Sequence, residues 1–235
     1  MTEAAPDEVR AHLAIALDVD DEVVALRLAR EVRPWFGVAK VGMELYYAAG
    51  PSIVEALIDL DFDVFADLKL YDIPTTVRKA AQVVGSLGAR YLNSPAAAGE
   101  ATVGAMVEGF LAGAAAAGTA DPIPLAVTVL TSEATADEAV LRARVELAVA
   151  TGCHGVVCAA SDLAVVQDVD SGLVTVVPGI RPAGAPTHDQ GRVATPRAAV
   201  EAGAGVLVVG RAVTEAGDVA AAASAVAAEL GSSPP

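Results

Sequence analysis

The amino-acid sequence predicts an α/β protein with the (β/α)8 barrel fold, the TIM barrel. Short apolar runs rich in Val, Ile and Leu alternate with longer amphipathic or Ala-rich stretches, which indicates strands alternating with helices. Eight such units follow one another without a Pro/Gly/Ser-rich linker, as expected for a single barrel domain over 1–235. A doubly wound open sheet is the alternative, because periodicity cannot show that strands close into a cylinder. No GxGxxG motif follows the first strand, which weakens the dinucleotide-binding form of that alternative.

The strands are predicted where apolar runs have the length and composition of strands buried on both faces. Each run has four to seven residues and is rich in Val, Ile and Leu. In chain order, the predicted strands are His12–Leu17, Val38–Val41, Val64–Leu70, Arg90–Asn93, Pro124–Leu130, Gly155–Ala159, Leu173–Val177 and Val206–Val209.

The helices are predicted from the stretches between these runs. Pro74 and Pro196 suit a first helical turn, where the missing N–H costs nothing, and Gly88 follows the end of the third helix. We expect the tail, 231–235, to be frayed. The predicted helices are Asp21–Val32, Ile53–Leu60, Pro74–Leu87, Gly99–Ala117, Ala136–Ala150, Asp162–Asp168, Pro196–Ala202 and Val213–Leu230.

The composition argues against several classes of function. Fifteen basic against 30 acidic residues give a net charge of −15, which disfavours a nucleic-acid or anionic-membrane binder. No apolar run approaches the roughly 20 residues of a membrane-spanning helix, and the first residues lack a signal-peptide pattern. Cys153 and Cys158 lack CxxC spacing, so we expect buried thiols in a reducing compartment and a cytoplasmic protein.

Charged residues collect where the first three predicted strands end, and this edge carries the chemistry of barrels. Asp18 ends the first strand, Lys40 lies in the second, and Asp67, Lys69 and Asp72 accompany the third. Asp67 and Lys69 are two residues apart, so on a strand they would share the inward face. Burying such charges is costly unless they are paired. The alternation of Lys40, Asp67, Lys69 and Asp72 therefore indicates a catalytic array more than a structural ion-pair network.

The last two predicted strands lead into a candidate anion site. In barrels, the loops after these strands often bind phosphate together with the start of a short helix. Arg181 and Arg211 lie close to the ends of these strands, and Gly210 lets the backbone approach an anion. We expect Arg181 and Arg211 to bind phosphate, and Arg192 and Arg197 to form a solvated basic edge.

From about His12 to Val213, the sequence resembles the orotidine 5′-phosphate decarboxylase family. The most specific segment runs from Asp67 to Thr76, DLKLYDIPTT, and is similar to the family signature DxKxxDIPxT. Further similarities occur in order at ALDVD, VTVLTS, VPGIRP, DQGRVATP and VVGRAVT. The resemblance implies decarboxylation of orotidine 5′-phosphate to UMP and carbon dioxide, the last step of de novo pyrimidine nucleotide synthesis, without metal or cofactor.

The resemblance also implies a role for each matching residue. Lys69 is expected to protonate C6 of the pyrimidine, with Asp67 beside the substrate carboxylate. Asp18 and Lys40 are expected on the ribose side. Asp72 is expected to reach the neighbouring subunit's site, which implies a homodimer with shared active sites. The other expected substrate-binding positions are Leu68, Leu70, Tyr71, Ile73, Pro74, Thr75, Thr76, Thr131, Arg181, Gln190, Gly210 and Arg211.

Two other functions remain open at this point. Metal-dependent sugar-phosphate decarboxylases and hexulose-phosphate synthases share the DxKxxD barrel, but these families resemble each other in carrying a metal-ligating Glu where Lys40 stands. Activity that survives chelation would exclude them. A non-catalytic phosphate-binding barrel is the second alternative. A replaced Lys69 or Asp67 would indicate it, and both residues are present.

Overall fold

Eight parallel strands form a closed barrel in the computed structural model, which describes residues 4–130, 137–182 and 192–231. The strands are β1 (Leu13–Ala16), β2 (Val38–Gly42), β3 (Asp63–Asp67), β4 (Tyr91–Pro95), β5 (Ile123–Val127), β6 (Gly155–Val157), β7 (Val174–Val177) and β8 (Val206–Val209). Their order around the barrel follows the chain, and β1 closes it by pairing with β8, Leu13 opposite Leu207. The predicted barrel is therefore confirmed, and the open sheet is excluded.

Helices connect the strands on the outside of the barrel. They are α1 (Asp7–Ala11), α2 (Glu22–Val32), α3 (Met43–Ala49), α4 (Ser52–Ile58), α5 (Pro74–Ser86), α6 (Glu100–Ala117), α7 (Glu138–Ala150), α8 (Leu163–Val169), α9 (Pro196–Glu201), α10 (Arg211–Thr214) and α11 (Val219–Gly231). None of these described helices is long and apolar enough to cross a membrane.

The helices differ from the prediction at three places. A short helix, α1, precedes β1, where no helix is predicted. The connection after β2 contains an additional helix, α3, which is separated from α4 by Gly50 at φ +77 and by Pro51. The helix predicted over Val213–Leu230 is instead two helices, α10 and α11. Of the tail expected to be frayed, Gly231 ends α11 and the remainder lies outside the described residues.

Side chains of each strand alternate between two apolar layers. On β1, Leu13 and Ile15 pack towards the helices, whereas Ala14 and Ala16 belong to the separate cluster inside the barrel. The interior cluster contains Ala14, Ala16, Val38, Phe65, Tyr91, Ile123, Leu125, Val127, Val157, Val176, Val206 and Val208. Because these side chains fill the barrel, a ligand site must lie at the barrel mouth rather than along its axis.

Helices α5 and α6 approach each other more closely than ordinary side chains allow. A Cβ atom at Gly109 would overlap the carbonyl oxygen of Arg78, and one at Gly113 would overlap that of Gln82. The two glycines of α6 therefore place its backbone directly against α5. This contact holds α5, which begins just after the segment that follows β3.

Candidate active site

A cavity of about 230 Å³ opens at the C-terminal ends of the strands. Its floor is the top of the interior apolar layer, and Ala16, Phe65 and Val208 belong to both. Charged residues of its wall lie within or shortly after the C-terminal parts of β1, β2, β3, β7 and β8. These charged residues are Asp18, Lys40, Asp67, Lys69, Arg181 and Arg211.

Four of these side chains form a chain of alternating charge. The Lys40 Nζ lies 2.9 Å from Asp18 Oδ1 and 3.4 Å from Asp67 Oδ2. The Lys69 Nζ lies 2.6 Å from Asp67 Oδ1. Every charged group thus has a partner of opposite sign, as partly buried charges require. The sequence predicts Asp72 as the fourth charged residue of the array. Within a single subunit, the fourth member is instead Asp18.

Lys40 and Asp67, the two inner residues of this charge chain, are the most shielded from water. The side chain of Lys40 is 10% exposed and that of Asp67 15%, against 56% for Asp18. Burial alone would lower the pKa of Lys40, but Asp67 and Asp18 raise it above its ordinary value. Burial alone would raise the pKa of Asp67, but Lys40, Lys69 and a hydrogen bond from Asn93 lower it. Both groups are therefore charged at neutral pH.

The backbone brings Asp67 and Lys69 together in a way that the strand pattern does not predict. Strand β3 ends at Asp67 rather than at Leu70, so the predicted end of the strand is wrong. Lys69 lies beyond the strand with φ +49, in the left-handed region. This turn, rather than a shared strand face, brings the ammonium back to Asp67. Leu68 and Leu70, two of the expected substrate-binding positions, pack against the outer apolar layer.

Two residues that sequence reasoning missed support the charge chain. Asn93, fully buried on β4, accepts a hydrogen bond from the Lys69 backbone N–H and donates one to Asp67 Oδ1, both at 2.7 Å. Gly42 ends β2, and a Cβ atom there would lie 2.7 Å from Asp18 Oδ1. A polar side chain within an apolar strand was the available signal for Asn93. Nothing in the sequence marks Gly42.

Two arginines form another part of the cavity wall. Arg181 follows β7, and Arg211 begins α10 after β8 and Gly210. Arg181 is 7% exposed, its Nη1 donates to the carbonyl of Ile180 at 2.9 Å, and its Nε has no hydrogen-bond partner among the described residues. Burial and the nearby charge of Arg211 lower the pKa of Arg181. Two neighbouring cations with an unused donor can bind an anion.

Three further expected positions are Gly210, Thr131 and Gln190. Gly210 lines the cavity beside Arg211. Thr131 and Gln190 lie outside the described residues.

Arg192 is not the solvated residue that the sequence suggested. Its side chain is 10% exposed, and its Nη1 lies 2.6 and 2.7 Å from the two carboxylate oxygens of Asp162, whose side chain is 6% exposed. Its Nη2 donates to the carbonyl of Leu130 at 3.2 Å. Arg192 thereby ties the segment after β7 to the segments that follow β5 and β6. A partner 30 residues away leaves no local signal in the sequence.

The two thiols are buried, as expected from the sequence. Cys153 and Cys158 are both free. Burial raises the pKa of Cys153 to about 11 and that of Cys158 to about 12. Cys158 contacts the cavity, but a thiol with such a pKa is protonated at neutral pH and is a poor nucleophile.

The second half of the DLKLYDIPTT segment lies outside the cavity of its own chain. All six residues from 71 to 76 are exposed, including Tyr71 at 67% and Ile73 at 66%. The Asp72 carboxylate accepts a hydrogen bond from the Ile73 N–H at 2.6 Å, and the Asp72 carbonyl accepts one from Thr102 Oγ1 at 3.3 Å. Besides Leu68 and Leu70, the described expected positions that do not line this cavity are Tyr71, Asp72, Ile73, Pro74, Thr75 and Thr76.

Comparison with known proteins agrees with this geometry. The model of the Orotidine 5′-phosphate decarboxylase / HUMPS family matches residues 11–226. The chain belongs to this family. Among its relatives, the orotidine 5′-phosphate decarboxylase of Anaeromyxobacter sp. (strain K) is 45% identical over 229 residues, which cover 93% of this chain and 97% of that protein. The protein of the same name from Thermobifida fusca (strain YX) is 43% identical over 233 residues, or 94% and 96% of the two chains.

Solved structures with the same barrel include two orotidine 5′-phosphate decarboxylases. The one from Lactobacillus acidophilus matches with a TM-score of 0.78 at 31% identity, covering 94% of this chain and 99% of that one. The one from Pyrococcus horikoshii OT3 matches with a TM-score of 0.75 at 26% identity, covering 93% and 98%. The barrel of this chain is thus the barrel of the orotidine 5′-phosphate decarboxylase / HUMPS family along nearly its whole length.

Proposed function

We propose that the chain decarboxylates orotidine 5′-phosphate to UMP and carbon dioxide, without metal or cofactor, as the last step of de novo pyrimidine nucleotide synthesis. The observation that carries the proposal is the ammonium of Lys69, held 2.6 Å from Asp67 in a cavity that also contains two arginines. Relatives that bear this name are similar over more than nine-tenths of both chains, and their names support the same reaction.

The proposed reaction breaks the bond between C6 of the pyrimidine and its carboxylate. Carbon dioxide leaves, and the electron pair stays on C6, which has no conjugated electron sink. The Lys69 ammonium is pre-positioned by Asp67, so it can stabilise the developing charge and donate its proton to C6. The neutral amine then regains a proton from water. Arginine could not replace this group, because its guanidinium is effectively never deprotonated.

The remaining cavity residues have binding roles in this proposal. Asp67 holds Lys69 and lies beside the substrate carboxylate, while Lys40 and Asp18 contact the ribose. Arg181 and Arg211, with the backbone of Gly210, bind the phosphate, which matches their charge and the unused Nε donor of Arg181. Phosphate binding is remote from C6, so its binding energy can be used to orient the reacting carbon. Thr131 and Gln190 stay predicted contacts.

A metal-dependent sugar-phosphate enzyme is the nearest alternative, and the donor set does not favour it. Such an enzyme needs carboxylates that are available to a divalent cation. Here the Lys40 ammonium contacts both Asp18 and Asp67, and Lys69 contacts Asp67 as well. Two carboxylates beside two ammonium groups make a poor magnesium site. A non-catalytic barrel is not favoured either, because every member of the charge chain is present.

The proposal includes a homodimer in which Asp72, with Ile73 and Thr76, completes the neighbouring subunit's site. The exposure of residues 71–76 supports it, because large apolar side chains such as Tyr71 and Ile73 tend to be covered by a partner when they are grouped. A cytoplasmic location and the lack of a nucleic-acid partner belong to the same proposal, and the net charge of −15 supports the latter.

The proposed activity is tested by following pyrimidine absorbance after orotidine 5′-phosphate is added, with and without EDTA. We expect turnover that EDTA does not change. Lys69→Ala should reduce kcat by about 10²–10⁴-fold, the usual contribution of a positioned proton donor. Lys79→Ala is the matched control, because Lys79 is an exposed lysine of α5 outside the cavity. A well-folded protein without turnover would refute the assignment, and loss of turnover with EDTA would favour the metal-dependent alternative.

A further inference from the structure

Asn93 connects the two residues on which the proposed chemistry depends. Its Nδ2 donates to Asp67 Oδ1 at 2.7 Å, and this oxygen also accepts the hydrogen bond from Lys69 Nζ. Its Oδ1 accepts from the Lys69 backbone N–H at 2.7 Å. The side chain is fully buried, so both ends of the amide are satisfied by this pair of residues rather than by water.

The orientation of the amide is determined by its partners. If the oxygen and nitrogen were exchanged, the NH2 group would face the Lys69 N–H donor and the oxygen would face a carboxylate. Both contacts would be repulsive. Only a neutral side chain with one acceptor and one donor, at this separation, satisfies the two partners without adding another charge beside Asp67.

The backbone of Asn93 also continues the pairing of β3 with β4 beyond the end of β3. Strands β3 and β4 pair at Phe65 with Tyr91 and at Ala66 with Leu92, and β3 stops at Asp67. Beyond that point, the Asn93 carbonyl accepts a hydrogen bond from the Leu70 N–H at 3.1 Å. Strand β4 therefore holds the chain on both sides of Lys69.

Lys69 needs such support because of its backbone conformation. Its φ of +49 lies in the left-handed region, which is unfavourable for a residue with a Cβ atom. A conformation of this kind persists only where the surroundings determine it. The bond from the Lys69 N–H to the Asn93 side chain holds this residue directly, while the Asn93 carbonyl and Ser94 Oγ hold the backbone of Leu70 beside it.

We propose that Asn93 is a positioning residue for decarboxylation, which holds the Lys69 turn and orients Asp67 so that the ammonium faces the reacting carbon. This inference rests on the proposed function, because it assigns Asn93 to the same site. Asn93 acts through Asp67 and Lys69 and need not touch the substrate itself.

The test compares Asn93→Ala and Asn93→Asp with the wild type, using orotidine 5′-phosphate as substrate and UMP as the binding probe. We expect kcat to fall at least about 100-fold in Asn93→Ala, as a misplaced catalytic group predicts. KM and the affinity for UMP should change less than about threefold, because the arginines that bind phosphate are untouched. Hydrogen–deuterium exchange in residues 67–72 should become faster. Asn93→Asp keeps the acceptor but loses the donor at neutral pH, so its kcat should also fall.

Thr175→Val is the matched control. Thr175 is also a buried polar residue of a strand; it donates to the Gly203 carbonyl at 3.0 Å and accepts from the Gly205 N–H at 2.9 Å, and it does not line the cavity. Its substitution should lower stability and leave kcat unchanged.

A kcat within threefold of the wild type in either folded Asn93 variant overturns the proposal, and so does unchanged exchange in residues 67–72. A parallel loss of kcat, UMP affinity and stability in both variants would also overturn it, since that pattern indicates a structural role. If Asn93→Ala does not fold, Asn93→Asp decides, because it has nearly the same volume. If the wild type does not turn over, the proposed function fails, while the exchange measurement still decides whether Asn93 holds the turn.

Discussion

Lys69 carries its ammonium on a backbone conformation that a lysine seldom adopts. The side chain must reach Asp67 from beyond the end of β3, and the left-handed turn at φ +49 makes this possible. The sequence pattern predicts that Asp67 and Lys69 meet, but for the wrong reason. It assumes that both lie on one strand, where residues two positions apart share a face, whereas the strand ends at Asp67. A spacing of two cannot distinguish a strand from a turn. The turn is held by Asn93, which belongs to β4, so the sequence around Lys69 does not reveal it.

Replacement of Lys69 by Gly and by Ala should separate the backbone cost from the loss of the ammonium. Both variants lack the ion pair with Asp67, so their difference in unfolding free energy reports the left-handed turn. We expect Lys69→Gly to be more stable than Lys69→Ala by about 1 kcal/mol, because Gly adopts positive φ without steric cost. Urea unfolding of the two variants measures this difference. Equal stability, or a more stable Ala variant, would mean that the turn carries no such cost.

At the scale of elements, the contact between α5 and α6 shows what composition alone cannot predict. The stretch from Glu100 to Ala117 contains several glycines, which lower its intrinsic helix propensity. Its prediction as a helix was nevertheless confirmed, with nearly the predicted ends. The sequence does not reveal that Gly109 and Gly113 face the carbonyl oxygens of α5, whereas a Cβ at Gly104 would meet no atom within 4 Å. That difference depends on tertiary packing.

Alanine substitution should change the unfolding free energy in opposite directions at a closely packed glycine and at an unobstructed glycine of α6. Gly113→Ala should lower the unfolding free energy by about 2 kcal/mol, because the new methyl group must push the Gln82 carbonyl and its helix away. Gly104→Ala should raise it by about 1 kcal/mol, the usual gain in a helix where space is free. Thermal or urea unfolding of both variants tests this pair. A similar effect at both positions would contradict the close contact.

At the scale of the whole molecule, the segment from Asp67 to Thr76 contributes to two different surfaces. Asp67 and Lys69 face the cavity, while residues 71–76 are exposed on the outside.

The eight strands and their charged ends could be predicted from the sequence because apolar periodicity and short motifs are local properties. The sequence pattern predicts a solvated Arg192, which is wrong. The burial of an arginine depends on its partner, here Asp162, and the local sequence does not identify that partner. Such pairings arise only when the barrel closes, so the linear pattern does not contain them.

Mixed dimers test whether Asp72 acts on the neighbouring subunit's site. Lys69→Ala and Asp72→Ala should each be inactive as homodimers. In a heterodimer, one of the two sites would combine an intact Lys69 with an intact Asp72 from the other subunit, so mixing should restore activity. At random exchange, half of the dimers would be mixed, and the mixture should reach roughly a quarter of wild-type activity. Subunit exchange is verified with differently tagged chains, and exchange without recovery would show that Asp72 does not act across the interface.

The pairing of β1 with β8 also affects how activity can appear during folding. These strands come from opposite ends of the described chain, with Leu13 opposite Leu207. Asp18 follows β1 and Arg211 follows β8, so the cavity wall is incomplete until the two strands meet. Contacts between residues so distant in sequence form slowly, since a long loop must be ordered first. A refolding chain can therefore regain most of its helices before it can bind a nucleotide, and the return of turnover measures the rate of barrel closure.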